Sequence, residues 1–289
     1  MLCRKINITL HFTVPCNLLT PLWIKQPRNC LYRQNSGLCL KDKVVIVTGA
    51  GGGIGACAAM AFAKEGAKVV VADINPKNAC KIAKLCQEQF CAAAMGFQCD
   101  VAQDDHLRAL VSCTLSTFGK LDVLVNNAGI LTFGSLLKAD VMEAYDKTLA
   151  VNLRACVFLT MIAAPYLVKT KGNVINISSI LGCSYVGNSK YMPYCISKAG
   201  LDHFMYGAAL ELAPVGVRVN NVCPGPTKTD IFSKAGVKGS WKDIGNSFKI
   251  ENVSEPEEIA DLILYLASYK ARSITGVRYY IDKGTLLMS

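Results

Sequence analysis

The sequence has no C-x-x-C pair, although it carries 14 cysteines, and its three histidines, His11, His106 and His203, lie far apart. A zinc site needs clustered thiolates or imidazoles, so none is expected. Cys57, Cys156 and Cys223 sit inside apolar segments, where a thiol behaves as a small hydrophobe. Such scatter points to a reducing compartment rather than a disulfide framework. No uncharged apolar run reaches the ~20 residues of a membrane span. The nearest stretch, Ile6 to Ile24, is interrupted by Pro15 and Pro21.

Acidic residues are missing from the first forty positions, which hold Arg4, Lys5, Lys25, Arg28 and Arg33. Half of the formal net charge of +10 therefore sits in one short leader. The rest is dispersed over a large body with no basic helix and no interleaved aromatics, so nucleic acid is not an expected partner. Residues 1–40 show neither a 3.6 nor a 2 periodicity. They are basic and acid-poor, as a mitochondrial presequence is, but they are not amphipathic. Pro15 and Asn17 break the apolar stretch that a secretory signal requires. The leader is read as a targeting segment, a disordered extension, or sequence absent from the mature protein. The expected location is cytoplasmic, or mitochondrial if the leader is a presequence.

What is present begins at Val44, and there is no repeat and no Pro/Ser-rich linker after Lys41. Val44–Thr48 is a β-branched run closed by glycines, as a buried parallel strand reads. Helical spacing follows over Ile54–Glu65. Further strands are expected at Lys68–Asp73, Ala94–Asp100, Leu121–Val125, Asn173–Ser178, Val217–Val222 and Val277–Ile281. Helices are expected at 76–90, 103–118, Val141–Lys169, Pro193–Leu212 and Glu255–Ser268, with Pro76 placed to open the first of these. This alternation predicts an α/β fold: residues 41–289 as one doubly wound Rossmann-type domain, a seven-stranded parallel sheet with helices on both faces.

Thr48-Gly49-Ala50-Gly51-Gly52-Gly53-Ile54-Gly55 joins the first strand to the first helix. Glycines there permit a tight turn and let backbone N–H groups approach a pyrophosphate. The strand–turn–helix context makes this a dinucleotide loop rather than a mere turn. Asp73 ends the second strand, where a carboxylate accepts hydrogen bonds from the adenosine ribose and repels a 2′-phosphate. With no Arg or Lys between Gly49 and Gly55, NAD is favoured over NADP. Asp100 and Val101, at the end of the third strand, are placed to flank adenine.

Tyr194 and Lys198 are four apart in a helix, on one face and about 6 Å apart along its axis. A phenol of pKa ~10 is a poor base. An ammonium beside it stabilises the phenolate, and a shift of two to three units corresponds to roughly 3–4 kcal/mol. Tyr279 and Lys283 share the spacing but fall in or just after a strand, where four residues span about 13 Å. The helix is what makes the first pair specific.

These features, with Asn126-Asn127-Ala128-Gly129, Ser178-Ser179 and Pro224-Gly225 after successive strands, resemble the short-chain dehydrogenase/reductase family over Leu40 to Gly284. The resemblance implies Tyr194 as catalytic acid/base, Lys198 as its partner and a ribose ligand, and Ser179 on the substrate oxygen. It implies that Asn152 holds a water that relays protons from Lys198. Asn126 would line the adenosine side, Ala128 and Gly129 the sheet and ribose, and Thr227 and Thr229 the carboxamide. Ser178 stands as the alternative hydroxyl, since a strand sends only one of two neighbours to a site. Asn152 and Asn126 have bland alternatives as helix and turn residues.

Two departures from the family pattern stand out. The wall from Gly182 to Pro193 is long, and Asp282-Lys283-Gly284 replaces Asp-Gly-Gly near an expected subunit contact. A lid is expected over about 230–250, with Phe232, Trp241 and Phe248. The implied function is NAD-dependent interconversion of a small-molecule alcohol and carbonyl by a homo-oligomer, dimer or tetramer. The alternative is a catalytically silent NAD(H)-binding regulator on the same fold.

Overall fold

A computed structural model describes residues 38–184, 189–237 and 253–288. The leader to residue 37, part of the expected pocket wall (185–188) and most of the expected lid (238–252) lie outside the described residues. The strands are β1 Val44–Thr48, β2 Lys68–Asp73, β3 Ala94–Gln98, β4 Val123–Asn126, β5 Asn173–Ile177, β6 Arg218–Pro224 and β7 Arg278–Ile281. All pair in parallel in the order β3-β2-β1-β4-β5-β6-β7.

The helices are α1 Gly53–Lys64, α2 Pro76–Phe90, α3 Asp104–Phe118, α4 Val141–Leu149, α5 Ala155–Thr170, α6 Met192–Leu212, α7 Ile231–Lys234, α8 Pro256–Ala267 and α9 Thr285–Met288. The central strands β1, β4 and β5 are buried along their whole length because helices cover both faces, whereas the edge strands β3 and β7 are partly exposed. Val45 and Val47 pack with α1, α2 and α8 on one side. Ile46, between them, packs with α3, α5 and α6 on the other.

The order reverses between β1 and β4, so the turns after these strands open a crevice at the carboxyl edge of the sheet. Ligands of doubly wound sheets bind at such a reversal. The expected architecture is therefore present, with shifts at element ends: β3 stops at Gln98, two residues early, and Asp100 and Val101 lie in the turn after it.

The expected long helix is present and changes its winding partway. Between α4 and α5, Ala150–Arg154 is a π-helical turn, and the Ala155 N–H donates to the Ala150 carbonyl five residues back. Such turns have no composition signature and are frequent at functional sites. By length and composition the continuous helical stretch Val141–Thr170 is apolar enough to cross a membrane. Its Ala155, Leu159, Ala163 and Leu167 are buried in the core on the α3/α5/α6 side.

Lys283 has φ 50°, the left-handed region in which glycine is at ease. Its ammonium lies 3.4 Å from Glu258, an exposed pair of little worth. Lys283→Gly is therefore expected to stabilise the fold by about 0.5–1 kcal/mol. Thermal denaturation should show a midpoint raised by ~2 °C; an unchanged or lower midpoint would contradict the strain argument.

Candidate active site

A cavity of about 450 Å³ runs along the carboxyl edge from Asp73 to Tyr194. One end is the glycine turn. Gly49 has φ 63°, and a Cβ there would lie 2.8 Å from the Ala128 Cα. Only glycine lets the turn lie this close to the chain leaving β4. Thr48 ties the two together: its Oγ1 accepts from the N–H groups of Asn127 at 3.0 Å and Ala128 at 3.1 Å. The Asn127 amide donates in return to the carbonyls of Thr48 at 2.8 Å and Gly49 at 3.2 Å.

Asp73 closes this same end. Its Oδ2 accepts from the Gly51 N–H and its Oδ1 from the Asn75 N–H, both at 2.9 Å. Each carboxylate oxygen keeps a further lone pair for a ligand hydroxyl. Asp100 and Val101 line the same end. The Asp100 Oδ1 accepts from the Ala102 N–H at 3.0 Å.

The other end carries the hydroxyls. Ser179 follows β5 with an extended backbone, and its Oγ accepts from the Leu181 N–H at 3.1 Å. Its hydroxyl lies near the Tyr194 phenol and favours the ionised form. Ser178 turns instead to α6 and donates to the Lys198 carbonyl at 3.3 Å. Of the two serines, Ser179 is the one that meets the phenol. The Lys198 ammonium is buried, lies 5.5 Å from the Tyr194 ring centroid, and donates to the Ile177 carbonyl at 2.7 Å.

The electrostatics depart from expectation. Burial pushes the Tyr194 phenol up to about 12, with the nearby Ser179 hydroxyl working against it. Burial also pulls Lys198 below the usual ammonium range. The ammonium addresses the ring face and a strand carbonyl, so the cost of burying a phenolate prevails over its attraction.

Most of the expected residues come together. Gly49, Gly53, Ile54, Asp73, Asp100, Val101, Ala128, Gly129, Ser179, Tyr194, Lys198, Pro224, Gly225, Thr227 and Thr229 all line the cavity. Three expected residues lie behind the lining. Gly55 is buried in the first turn of α1. Asn126 is buried and donates to Asn176 at 2.8 Å and Thr160 at 3.2 Å, so its neighbour Asn127 is the one that faces the cavity. Strand alternation, applied to the serines, applies equally to this pair.

Asn152 is fully buried in the π-helical turn. Its Oδ1 accepts from the Ile130 N–H and its Nδ2 donates to the Ile130 carbonyl, both at 2.9 Å. It thereby pins the loop after Gly129. A Cβ on Gly129 would stand 3.5 Å from that Oδ1 and 3.7 Å from the Lys198 Nζ, so both polar groups reach one point. Leu131, Ile180 and Leu181, which carry no motif in the sequence, form an apolar wall beside the hydroxyls. Tyr191 joins that wall and packs against Phe133, the ring centroids 5.5 Å apart and the planes tilted by 40°. Phe232, from the expected lid, reaches the lining too.

The glycine cradle, the carboxylate at one end and the paired hydroxyls at the other fit a dinucleotide whose reactive ring lies beside Tyr194. Known proteins resemble this chain over most of its length. A family model described as enoyl-(acyl carrier protein) reductase matches residues 49–285. An uncharacterized oxidoreductase of Thermotoga maritima is 38% identical over 252 residues, covering 85% of this chain and 98% of its own. A short-chain type dehydrogenase/reductase from Mycobacterium marinum superposes with a TM-score of 0.79 at 29% identity, over 85% of this chain and 96% of that one. A 7α-hydroxysteroid dehydrogenase complexed with NADH and 7-oxo glycochenodeoxycholic acid superposes with a TM-score of 0.77 at 30% identity, over 88% of this chain and 98% of that one. Likeness of this extent, running from the glycine turn to the last strand, places the chain in the short-chain dehydrogenase/reductase family of NAD(P)-dependent oxidoreductases.

Proposed function

We propose that the protein interconverts a secondary alcohol and a ketone or aldehyde, with NAD as hydride partner and Tyr194 as general acid/base. The observation that carries this reading is that the hydroxyls of Ser179 and Tyr194 line the same end of the dinucleotide-sized cavity, with the buried Lys198 ammonium beside the phenol ring. Two hydroxyls converging on one point suit a single substrate oxygen. When bound, the nicotinamide supplies or accepts the hydride.

The chain's own groups handle the proton and the oxygen. Ser179 donates to the substrate oxygen and orients it. Tyr194 gives its proton to that oxygen in reduction and takes it back in oxidation. Lys198 holds positive charge behind the ring and reaches the ribose, and the remaining lone pair of the Asn152 Oδ1 belongs to the route by which the proton is replenished. The wall of Leu131, Ile180, Leu181 and Tyr191 excludes water and favours an apolar body on the substrate. Exposed Val157 and Met161 on α5, and Ile196 and Leu210 on α6, support association of like chains.

The preference for NAD rests on Asp73. Its two oxygens suit two ribose hydroxyls, and no lysine or arginine in the glycine turn offsets a 2′-phosphate. A panel of secondary alcohols and ketones, assayed with NAD(H) and NADP(H) by absorbance of the reduced cofactor, tests both points. Turnover at least tenfold more efficient with NAD(H) is the expected result, roughly 1.4 kcal/mol of discrimination. A preference for NADPH would overturn the Asp73 reading, and no turnover on any carbonyl or alcohol would overturn the chemistry.

A further inference from the structure

A row of polar side chains crosses the sheet beneath the active site. Asn126 of β4, Asn176 of β5, Asn221 of β6 and Arg278 of β7 are register partners in successive strand pairs. The three asparagines are buried. Asn126 donates to Asn176 at 2.8 Å, and Asn176 donates to Asn221 at 2.8 Å. Asn221 donates to the Asp202 Oδ1 of α6, also at 2.8 Å. Arg278 reaches the Asp202 Oδ2 at 3.3 Å.

The direction of the row follows from its end. A carboxylate only accepts, so Asn221 must turn its NH₂ to Asp202 and its oxygen to Asn176. Asn176 must then present its NH₂, and Asn126 likewise. One carboxylate thus sets the orientation of three amides, in a chain whose members polarise one another.

Asp202 lies one helical turn beyond Lys198 and two beyond Tyr194, on the same face of α6. A Cβ on Gly182, in the loop after Ser179, would lie 2.9 Å from the Asp202 Oδ2 and 3.1 Å from the Lys198 carbonyl carbon. The serine loop, the Tyr–Lys helix and strands β6 and β7 therefore meet at this side chain.

We propose that Asp202 is the positioning residue of the active-site helix: it locks α6 onto the row of amides and supplies the counter-charge for the buried ammonium of Lys198. The proposal rests on the reading of Tyr194 and Lys198 as the acid/base pair. Other groups near Lys198 offer no such charge. Burial pushes the Cys156 thiol of α5 up to about 11 and the Cys223 thiol of β6 up to about 12, so both are neutral. Burial likewise holds the Tyr194 phenol protonated. Arg278 of β7 competes for Asp202 rather than for Lys198. The other buried carboxylate among the described residues, Asp122, is taken by Lys43 and Lys120.

The test needs no substrate. In protein labelled with ¹³C at the lysine ε-carbon, the Lys198 resonance is assigned by its loss in Lys198→Arg and titrated by NMR. Asp202→Asn keeps the size and removes the charge, and is expected to lower the Lys198 midpoint by about one pH unit. Thr160→Val injures the opposite end of the row, which accepts from Asn126, and is expected to cost stability while leaving that midpoint in place. A folded Asp202→Asn protein with an unmoved midpoint would overturn the proposal, as would an equal shift in Thr160→Val.

Should Asp202→Asn fail to fold, Arg278→Gln supplies the second arm. It frees Asp202 from its partly exposed partner and should raise the Lys198 midpoint; no rise overturns the proposal. Turnover surviving in Tyr194→Phe would defeat the proposed chemistry without touching this titration, so the two readings fail separately.

Discussion

Replacing Tyr194 by Phe is expected to lower turnover by a factor on the order of 10²–10⁴ while leaving NADH binding within about threefold of wild type. The phenyl ring fills the same space beside the Lys198 ammonium, and Ser179 keeps its bond from the Leu181 N–H. Only the proton donor is lost. Steady-state kinetics and a fluorescence titration with NADH separate the two effects. Turnover retained in this variant would remove Tyr194 from the mechanism.

The pH dependence follows from the same environment. The phenol is held up to about 12, so its acid form prevails through the neutral range. Alcohol oxidation, which needs the phenolate, should rise with pH across the alkaline range. Carbonyl reduction, which needs the phenol, should stay flat until far into it. Profiles with the opposite order would mean that the site depresses the phenol after all.

Gly55→Ala is expected to be the most damaging small change in the glycine turn. A Cβ there would lie 2.4 Å from the Asn127 Nδ2, 2.5 Å from the Gly49 carbonyl oxygen and 3.0 Å from the Ala50 Cα. Two of these atoms are backbone. The third is fixed by its own bonds to the carbonyls of Thr48 and Gly49. Nothing nearby gives way cheaply, so the turn must move.

A loss of about 1–3 kcal/mol is expected from such overpacking, with a melting midpoint lower by ~2–4 °C per kcal/mol. Dinucleotide affinity should fall at least about tenfold, roughly 1.4 kcal/mol, if the displaced N–H groups are those proposed to face the pyrophosphate. Gly52→Ala is the contrast. Its Cβ would meet nothing within 4 Å, so the fold should lose less than ~1 kcal/mol. Equal melting losses in the two variants would show that close packing at Gly55 is not the cause.

The order of the elements is legible in short apolar runs, most of them β-branched, that alternate with 3.6-period segments. Strands β1 and β2 have the very bounds expected of them, and the other five differ only at their ends. Tyr194 and Lys198 stand out because four residues make one turn of helix. Neighbours on one strand are harder. At Ser178 and Ser179, and at Asn126 and Asn127, residue type does not say which of two similar side chains faces the cavity. The phase of the strand relative to its neighbouring helices decides that.

The π-helical turn at Asn152 is illegible for a related reason. One inserted residue leaves composition unchanged, yet it turns the asparagine inward to bind both backbone groups of Ile130. The direction of the Tyr194 shift escapes a spacing rule, which counts the ammonium and not the burial that it shares with the phenol.

By itself, then, the sequence determined the sheet, the glycine turn, the carboxylate at Asp73 and the helical Tyr–Lys pair, because each depends on residues a few positions apart and on local geometry. Tertiary structure alone decided that Asn127 rather than Asn126 lines the crevice, and that Asp202, 76 residues from Arg278, joins a row of three asparagines beneath the site. Those facts depend on which strands become neighbours and in what register, and a buried hydrogen bond between distant segments leaves no spacing along the chain by which to find it.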